Sequence, residues 1–323
     1  MKISALGKLL AMLIFSAILF TACESTTDND DDPVDDPKPE APTELKAMSL
    51  SDSEIMLTWT PSPSESHELF EGYMLYISST GGGPLTPVEV HKDDRPYTVT
   101  DLDEGVIYEF KLVAKFTNGN ESEGEAVVEW SPATRFEKDF YDQTIEVYEY
   151  TSQFGSGIDL FYFEDEENYG PKVLTVNSKA DWNLGIDTRN DMLHIMPAKE
   201  ITYAQDEPDP VQATEINTQF WAADDLDEVF DSEALNASGE FKDNLIFDLN
   251  GDYVDPEKGV VLIVRSKEEG ETKWNYSKIL VKRDPEGNWL QGSGENEYLE
   301  MEISFQRALD VPYAKFGRSG GAE

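Results

Sequence analysis

Met192, His194 and Met196 occupy every second position of Asp191-Met192-Leu193-His194-Ile195-Met196. In an extended strand, that spacing sets the imidazole and both thioethers on one face, with Leu193 and Ile195 on the other. Soft ligands in that order suit copper(I), whereas the plainer reading has methionines filling core gaps and the histidine satisfied by a hydrogen bond. Trp182, Trp221, Trp274 and Trp289 offer ring faces for stacking. Two or more of them exposed along one groove would mark a carbohydrate- or protein-binding site. The 66 acidic residues make chance carboxylate pairs inevitable, so a pair by itself does not indicate glycoside chemistry. A deep cleft holding carboxyls of perturbed pKa would indicate a hydrolase. Asp248, Asn250 and Asp252 alternate like calcium ligands, yet Gly251 is misplaced for an EF-hand loop. Gly155-Ser156-Gly157 reads as a turn. The sequence contains no His-Glu-x-x-His helix, nucleophile elbow, P-loop or dinucleotide fingerprint, and the chain is read as a non-enzyme.

The elements expected to carry these residues are almost all strands, giving a mainly β chain: an antiparallel β-sandwich followed by a second, mostly antiparallel β domain with little helix. In the first, Ile55, Leu57 and Trp59 alternate inward, as do Tyr73, Leu75 and Ile77, and then Tyr108, Phe110, Leu112 and Ala114. In the second, strands are expected at 144–150, 159–163, 172–176, 191–196, 259–265, 276–282 and 298–306. A short helix is expected over Phe220 to Phe230. Val260 to Val264 is an unbroken apolar run, the pattern of a strand buried on both faces.

The N-terminus pairs Lys2 and Lys8 with an apolar run from Leu9 to Phe20 that ends at Thr21-Ala22-Cys23. A spanning helix needs about 20 apolar residues, so this shorter run reads as a cleaved secretory signal. Cys23 is the only cysteine, which excludes a disulfide or cysteine cluster. Residues beyond it are rich in Asp and Pro, as expected of a disordered tether. With Lys+Arg at 25 against Asp+Glu at 66, the formal net charge is -41, which excludes nucleic acid as a partner.

Thr21-Ala22-Cys23 resembles a bacterial lipobox, with Phe20 in place of the usual leucine. The resemblance implies lipidation at Cys23, an outer-membrane lipoprotein of the cell envelope, contact with the membrane by the anchor only, and surface exposure if the acids after Cys23 act in export. The expected order is a signal peptide (1–22), a tether (23–40), a first domain (41–135) and a second domain (136–323). The first resembles a fibronectin type III domain: Ala41-Pro42-Thr43-Glu44-Leu45 opens it, Trp59 lies on its second strand, and Leu102 precedes Tyr108 by the six residues of a tyrosine corner. Glu104 stands where the family has a proline. Such a domain is expected to act as a spacer.

The second domain resembles the HmuY-like haem-binding lipoproteins, through Leu160-Phe161-Tyr162-Phe163, Trp182-Asn183-Leu184-Gly185-Ile186, Val260 to Ser266, Tyr276-Ser277-Lys278-Ile279 and Ile303-Ser304-Phe305 in order. Asn183, Gly185 and Ile186 depart from the family's Asp, Ala and Phe. The resemblance implies a β fold that holds haem between two axial side chains for haem acquisition, with haem, a haem-carrying protein or an outer-membrane receptor as partner. His194, Met192 or Met196 would supply one ligand, with the second arriving from elsewhere. Lys278, Lys282 and Arg283 would be the candidate contacts for haem propionates. The alternative is a carbohydrate- or protein-binding lipoprotein without haem.

Overall fold

In the first sandwich, inward-facing apolar residues alternate with exposed ones, and the strands follow that alternation. The computed structural model describes residues 36–319 apart from 81, 85, 151, 166–167, 230–239, 295 and 312–313. Cys23, the signal segment and most of the tether therefore lie outside the described residues. Strands β1 (Thr43–Ser49), β2 (Ile55–Thr60) and β5 (Tyr97–Val99) make one sheet. Strands β3 (Phe70–Ser79), β4 (Val88–Val90), β6 (Tyr108–Phe116) and β7 (Ala126–Trp130) make the other, in the order β4-β3-β6-β7. All the expected inward residues of the three alternating stretches are buried. The phenol oxygen of Tyr108 accepts a hydrogen bond from Asp103 N at 2.9 Å, closing the corner that the Leu102 spacing implied. Pro37 to Glu40, expected as tether, lie against this sandwich. Pro37 O accepts from the side chains of Asn118 and Asn120, and Glu40 N donates to Ser64 Oγ.

The second sandwich is larger. One sheet runs β11 (Asn168–Leu174), β10 (Gly157–Asp165), β12 (Leu184–Asp187), β13 (His194–Pro197) and β16 (Phe247–Asp248). The facing sheet runs β15 (Phe241–Lys242), β14 (Gln212–Ala222), β17 (Val260–Glu268), β18 (Asn275–Val281), β20 (Asn296–Gln306) and β19 (Gln291–Ser293). Strands β8 (Thr134–Phe136) and β9 (Ile145–Tyr148) both pair with β20, against Ile303–Phe305 and Tyr298–Met301 respectively. The last strand, β21 (Ala314–Ser319), returns to the first sandwich and pairs with β7. Pro37–Glu323 thus form one compact unit.

The apolar run in β17 explains how the second sandwich joins to the first. Val260, Leu262 and Val264 pack into the core between the two large sheets, with Ile158, Ile186, Ile195 and Ile279. Val261 and Ile263 point the other way, into the apolar cluster that also fills the first sandwich and takes in Leu226, Val229 and Leu280. The strand is therefore buried on both faces, as its sequence implied.

Two expectations are corrected. Phe220 and Trp221 close the strand β14 and do not open a helix. Phe220 meets Phe247 at 5.0 Å, while Trp221 packs into the opposite cluster, a period of two that a helix does not produce. Among the described residues of that stretch, which stop at Val229, only Leu226–Glu228 turns, as a single 3-10 turn. The strand expected from Asp191 starts at His194, because Asn190 and Asp191 both take left-handed φ, 57° and 61°, and break the extended run.

Truncating a side chain on the back face of β17 removes packing that both sandwiches share. Ile263→Ala is expected to lower stability by about 2–5 kcal/mol in urea denaturation at neutral pH. A loss below about 1 kcal/mol would contradict burial on both faces.

Candidate functional site

The three residues first suspected of ligation are separated by burial. Leu193 and Ile195 face the core between the sheets, as strand alternation requires. On the opposite face, Met196 is sealed into a small cluster with Trp182, Ala198, Ile201 and Ala204. His194 is partly exposed, with Nε2 3.9 Å from Asp248 Oδ1 on the neighbouring strand, and Met192 is half-buried in the turn before β13. His194 alone of the three pairs partial exposure with a place in the strand.

The three basic candidates hold the chain itself. Lys278 is buried and donates to the backbone oxygens of Leu226 and Val229, at 3.3 and 3.2 Å; burial pushes its pKa down to about 8. Lys278 was expected as a propionate contact, but the segment Leu226–Val229 folds over it. Lys282 pairs with Glu300 and Glu302. Arg283 donates to the carbonyls of Lys258, Gly287 and Asp255 and lies 3.7 Å from the Trp289 ring centroid. Nor do the tryptophans line a groove. Trp182 and Trp289 are buried, Trp182 lying flat on Gly157, where a Cβ would fall within 1.8 Å of the ring. Trp274 is flanked by Arg265 and Lys267, and Trp221 is half-buried. Asp248 caps its own turn by accepting from Asn250 N. Among the described residues, no group of three or more His, Cys, Asp or Glu is arranged to hold a metal.

The structure instead brings together residues that the sequence reading left apart. Two adjoining cavities of about 370 and 750 Å³ share Asp159, Phe161, Phe163, Gln212 and Glu268, and make one groove at an end of the second sandwich. Its floor is a fixed polar network. Asn183 Oδ1 accepts from Leu160 N at 2.7 Å, and Asn183 Nδ2 donates to Gln212 Oε1 and, at 3.3 Å, to Thr214 Oγ1. Gln212 in turn hydrogen-bonds Asp159, which also accepts from Phe161 N at 3.1 Å. Asp159 is an acid set between Ile158 and Leu160, both fully buried. Burial raises its pKa from 3.8 to about 6; the nearby Asp181 adds to the rise, while its hydrogen bonds and Lys172 oppose it.

The groove wall is aromatic. The Phe161 ring stacks on Phe305 at 4.6 Å and 10°. Phe163 is 47% exposed and so accessible to a ligand. The Arg307 guanidinium lies 5.5 Å from Phe161, 6.0 Å from Phe163 and 5.0 Å from Tyr169. Further along, the Lys172 ammonium sits 3.6 Å from the Tyr162 ring centroid, and exposed Val211 lines the rim. Carboxyl and amide groups already oriented by hydrogen bonds, beside an accessible ring, suit a ligand that has both hydroxyls and an apolar face. By strand register, His194 lies level with Asp187 and Asp159 level with Asn183. The two are therefore four residues apart along the strands, about 13 Å at the usual rise.

Comparison with known proteins bears on the first sandwich. The family model for the fibronectin type III domain matches residues 40–130, the span that holds β1 to β7 and the Tyr108 corner. Residues 40–130 are a fibronectin type III domain. The chain is 28% identical over 91 residues to the cell adhesion molecule Dscam1 of Drosophila melanogaster, covering 28% of this chain and 4% of that protein. Solved structures similar to the chain include the FN5 domain of Drosophila Lar, at 24% identity, 29% of this chain, 97% of that one and a TM-score of 0.23. A two-domain type III segment of chicken tenascin covers 72% of this chain and 94% of its own, at 13% identity and a TM-score of 0.26. The strands and side chains of the groove floor lie beyond the type III domain, so the family match does not describe them.

The Asp159 carboxyl ties the groove to a pH dependence of stability. With the folded pKa raised, its contribution is full below about pH 4 and is lost as the pH rises through about 6. Wild type should therefore lose on the order of 3 kcal/mol relative to Asp159→Asn between pH 4 and pH 7, as measured by urea denaturation of both at each pH. A difference that stays flat across that range would contradict the burial of Asp159 as the dominant influence on its carboxyl.

Proposed function

We propose that this chain is a lipoprotein of the bacterial cell envelope, anchored through Cys23, that binds carbohydrate without transforming it. The binding site is the groove over Asp159, Asn183 and Gln212. One observation carries the reading: a polar floor whose side chains are already oriented by one another stands beside the half-exposed ring of Phe163. Such a floor matches adjacent hydroxyls, and the ring matches the C–H face of a sugar. A neutral ligand also suits a chain of net charge -41, which would repel a polyanion. Haem capture has less support, since Met196 and Lys278 are buried and His194 lies well away from the groove.

A second reading rests on Asp159. A carboxyl lifted to about 6 inside a cleft is suited to proton donation, and Asp181 and Glu268 line the same groove. A glycoside hydrolase using Asp159 as its acid would release new reducing ends from an oligosaccharide.

The test is calorimetric titration of the secreted chain with a panel of neutral oligosaccharides, followed by assay of reducing ends. Saturable binding at one site is expected, weakened at least tenfold by Phe163→Ala with an unchanged circular dichroism spectrum, and with no bond cleavage. Release of reducing ends that disappears in Asp159→Asn would replace the binding reading with the hydrolase. No sugar binding, together with a saturable Soret shift lost in His194→Ala, would replace it with haem capture.

A further inference from the structure

The type III domain grips the strand that builds one wall of the groove. Beyond Phe305, successive residues of β20 and its exit are held by the first sandwich. Gln306, fully buried, donates from Nε2 to Ser131 Oγ at 3.2 Å and to Pro132 O at 2.6 Å. Arg307 N donates to Glu104 Oε1 at 3.2 Å, and Arg307 Nε lies 3.9 Å from Glu104 Oε2. Thr134 Oγ1 donates to the same Glu104 Oε1 at 3.3 Å. The Ala308 methyl lies so close to Gly105 that a Cβ there would fall 2.3 Å from it; Gly105 also takes a φ of +79°.

Glu104 and Gly105 form the tip of the turn closed by Tyr108, so the rigidity of that corner is passed to residues 307 and 308. The Glu104 side chain is only 15% exposed, with its carboxylate set between a backbone N–H, a hydroxyl and a guanidinium. A mere spacer has no need of an acid in this place. The guanidinium it faces is the one that overhangs the rings of Phe161 and Phe163.

We infer that Glu104 is a positioning residue for the groove: from the type III domain it holds Arg307 over the aromatic wall, so that domain docking and ligand binding are coupled. The inference concerns how the groove is held, and its consequence for affinity rests on the carbohydrate-binding reading. Anything that loosens the corner from residues 307 and 308 leaves the guanidinium free to leave the rings, and a ligand must then pay to reorder it.

The test has an arm that needs no ligand. In the secreted chain, the Arg307 Nε–H resonance, assigned by its loss in Arg307→Lys, should be shifted by the ring currents of Phe161, Phe163 and Tyr169. Glu104→Ala should move it away from the wild-type position, while Glu104→Gln, which keeps an acceptor for Arg307 N–H, should leave it close to wild type. An unmoved resonance in a folded Glu104→Ala chain would overturn the inference. In the second arm, a sugar that binds wild type should bind Glu104→Ala five- to tenfold more weakly, and the Glu104→Ala, Arg307→Ala double variant no more weakly than Arg307→Ala. Independent losses would overturn the coupling. If wild type binds no sugar, the carbohydrate reading fails and the resonance still decides whether Glu104 positions Arg307.

Discussion

Strand β17 has no face it can turn to water, and much of the second sandwich is organised around that constraint. Five apolar residues in a row, Val260 to Val264, bury roughly 1.5–3 kcal/mol each if both faces are covered, and expose an aggregation-prone surface if either is not. The front face is covered by the sheet of β10, β12 and β13. The back face is covered by the Leu226–Val229 segment and Leu280, in a cluster continuous with the type III core. The Leu226–Val229 cover also explains a lysine at the back of the sheet. Lys278 supplies the donors that the carbonyls of Leu226 and Val229 need where they fold down onto apolar surface.

The same arrangement leaves polar chemistry at the end of the sandwich. Between the sheets the core is apolar, so oriented carboxyl and amide groups accumulate where the core runs out, at Asp159, Asn183 and Gln212. Asp159 and Asn183 are buried with hydrogen-bond partners, and the half-buried Gln212 links the amide of Asn183 to the carboxyl of Asp159. The Arg135 guanidinium plays a similar part at the domain junction, where it joins Asp225, Asp227 and Glu302. Burial works against its charge, and those three acids more than compensate, so its pKa is raised.

The framework was legible because it is written in local alternation. Ile55-Leu57-Trp59, Tyr108 with Leu102, and the unbroken Val260 to Val264 run announce strand faces, a corner and a doubly buried strand without reference to anything distant. β14 was not legible in this way, because Glu215, Asn217 and Thr218 dilute its apolar face and the cluster Phe220-Trp221 suggested a helix. The groove was hidden for a different reason. Asp159, Asn183, Gln212 and Arg307 are far apart in sequence, and only the pairing of β10 with β12 and the packing of the two sheets make them neighbours. A local trace existed nonetheless: strand alternation sets Asp159 on the face of Phe161 and Phe163, an acid on an otherwise aromatic face, and such departures tend to mark sites. The Met-His-Met face shows the converse. Its alternation holds only from Leu193 to Met196, since Met192 falls in the turn before β13, and alternation does not reveal that Trp182 and Ile201 cover one end of the face.

A crystal structure of the secreted chain soaked with a neutral oligosaccharide tests the central claim most directly. The account predicts a sugar ring against Phe163 and Phe161, with a hydroxyl on Asp159 and Arg307 in contact with the ligand. Density on the type III domain or beside His194, with the groove filled by water alone, would contradict it.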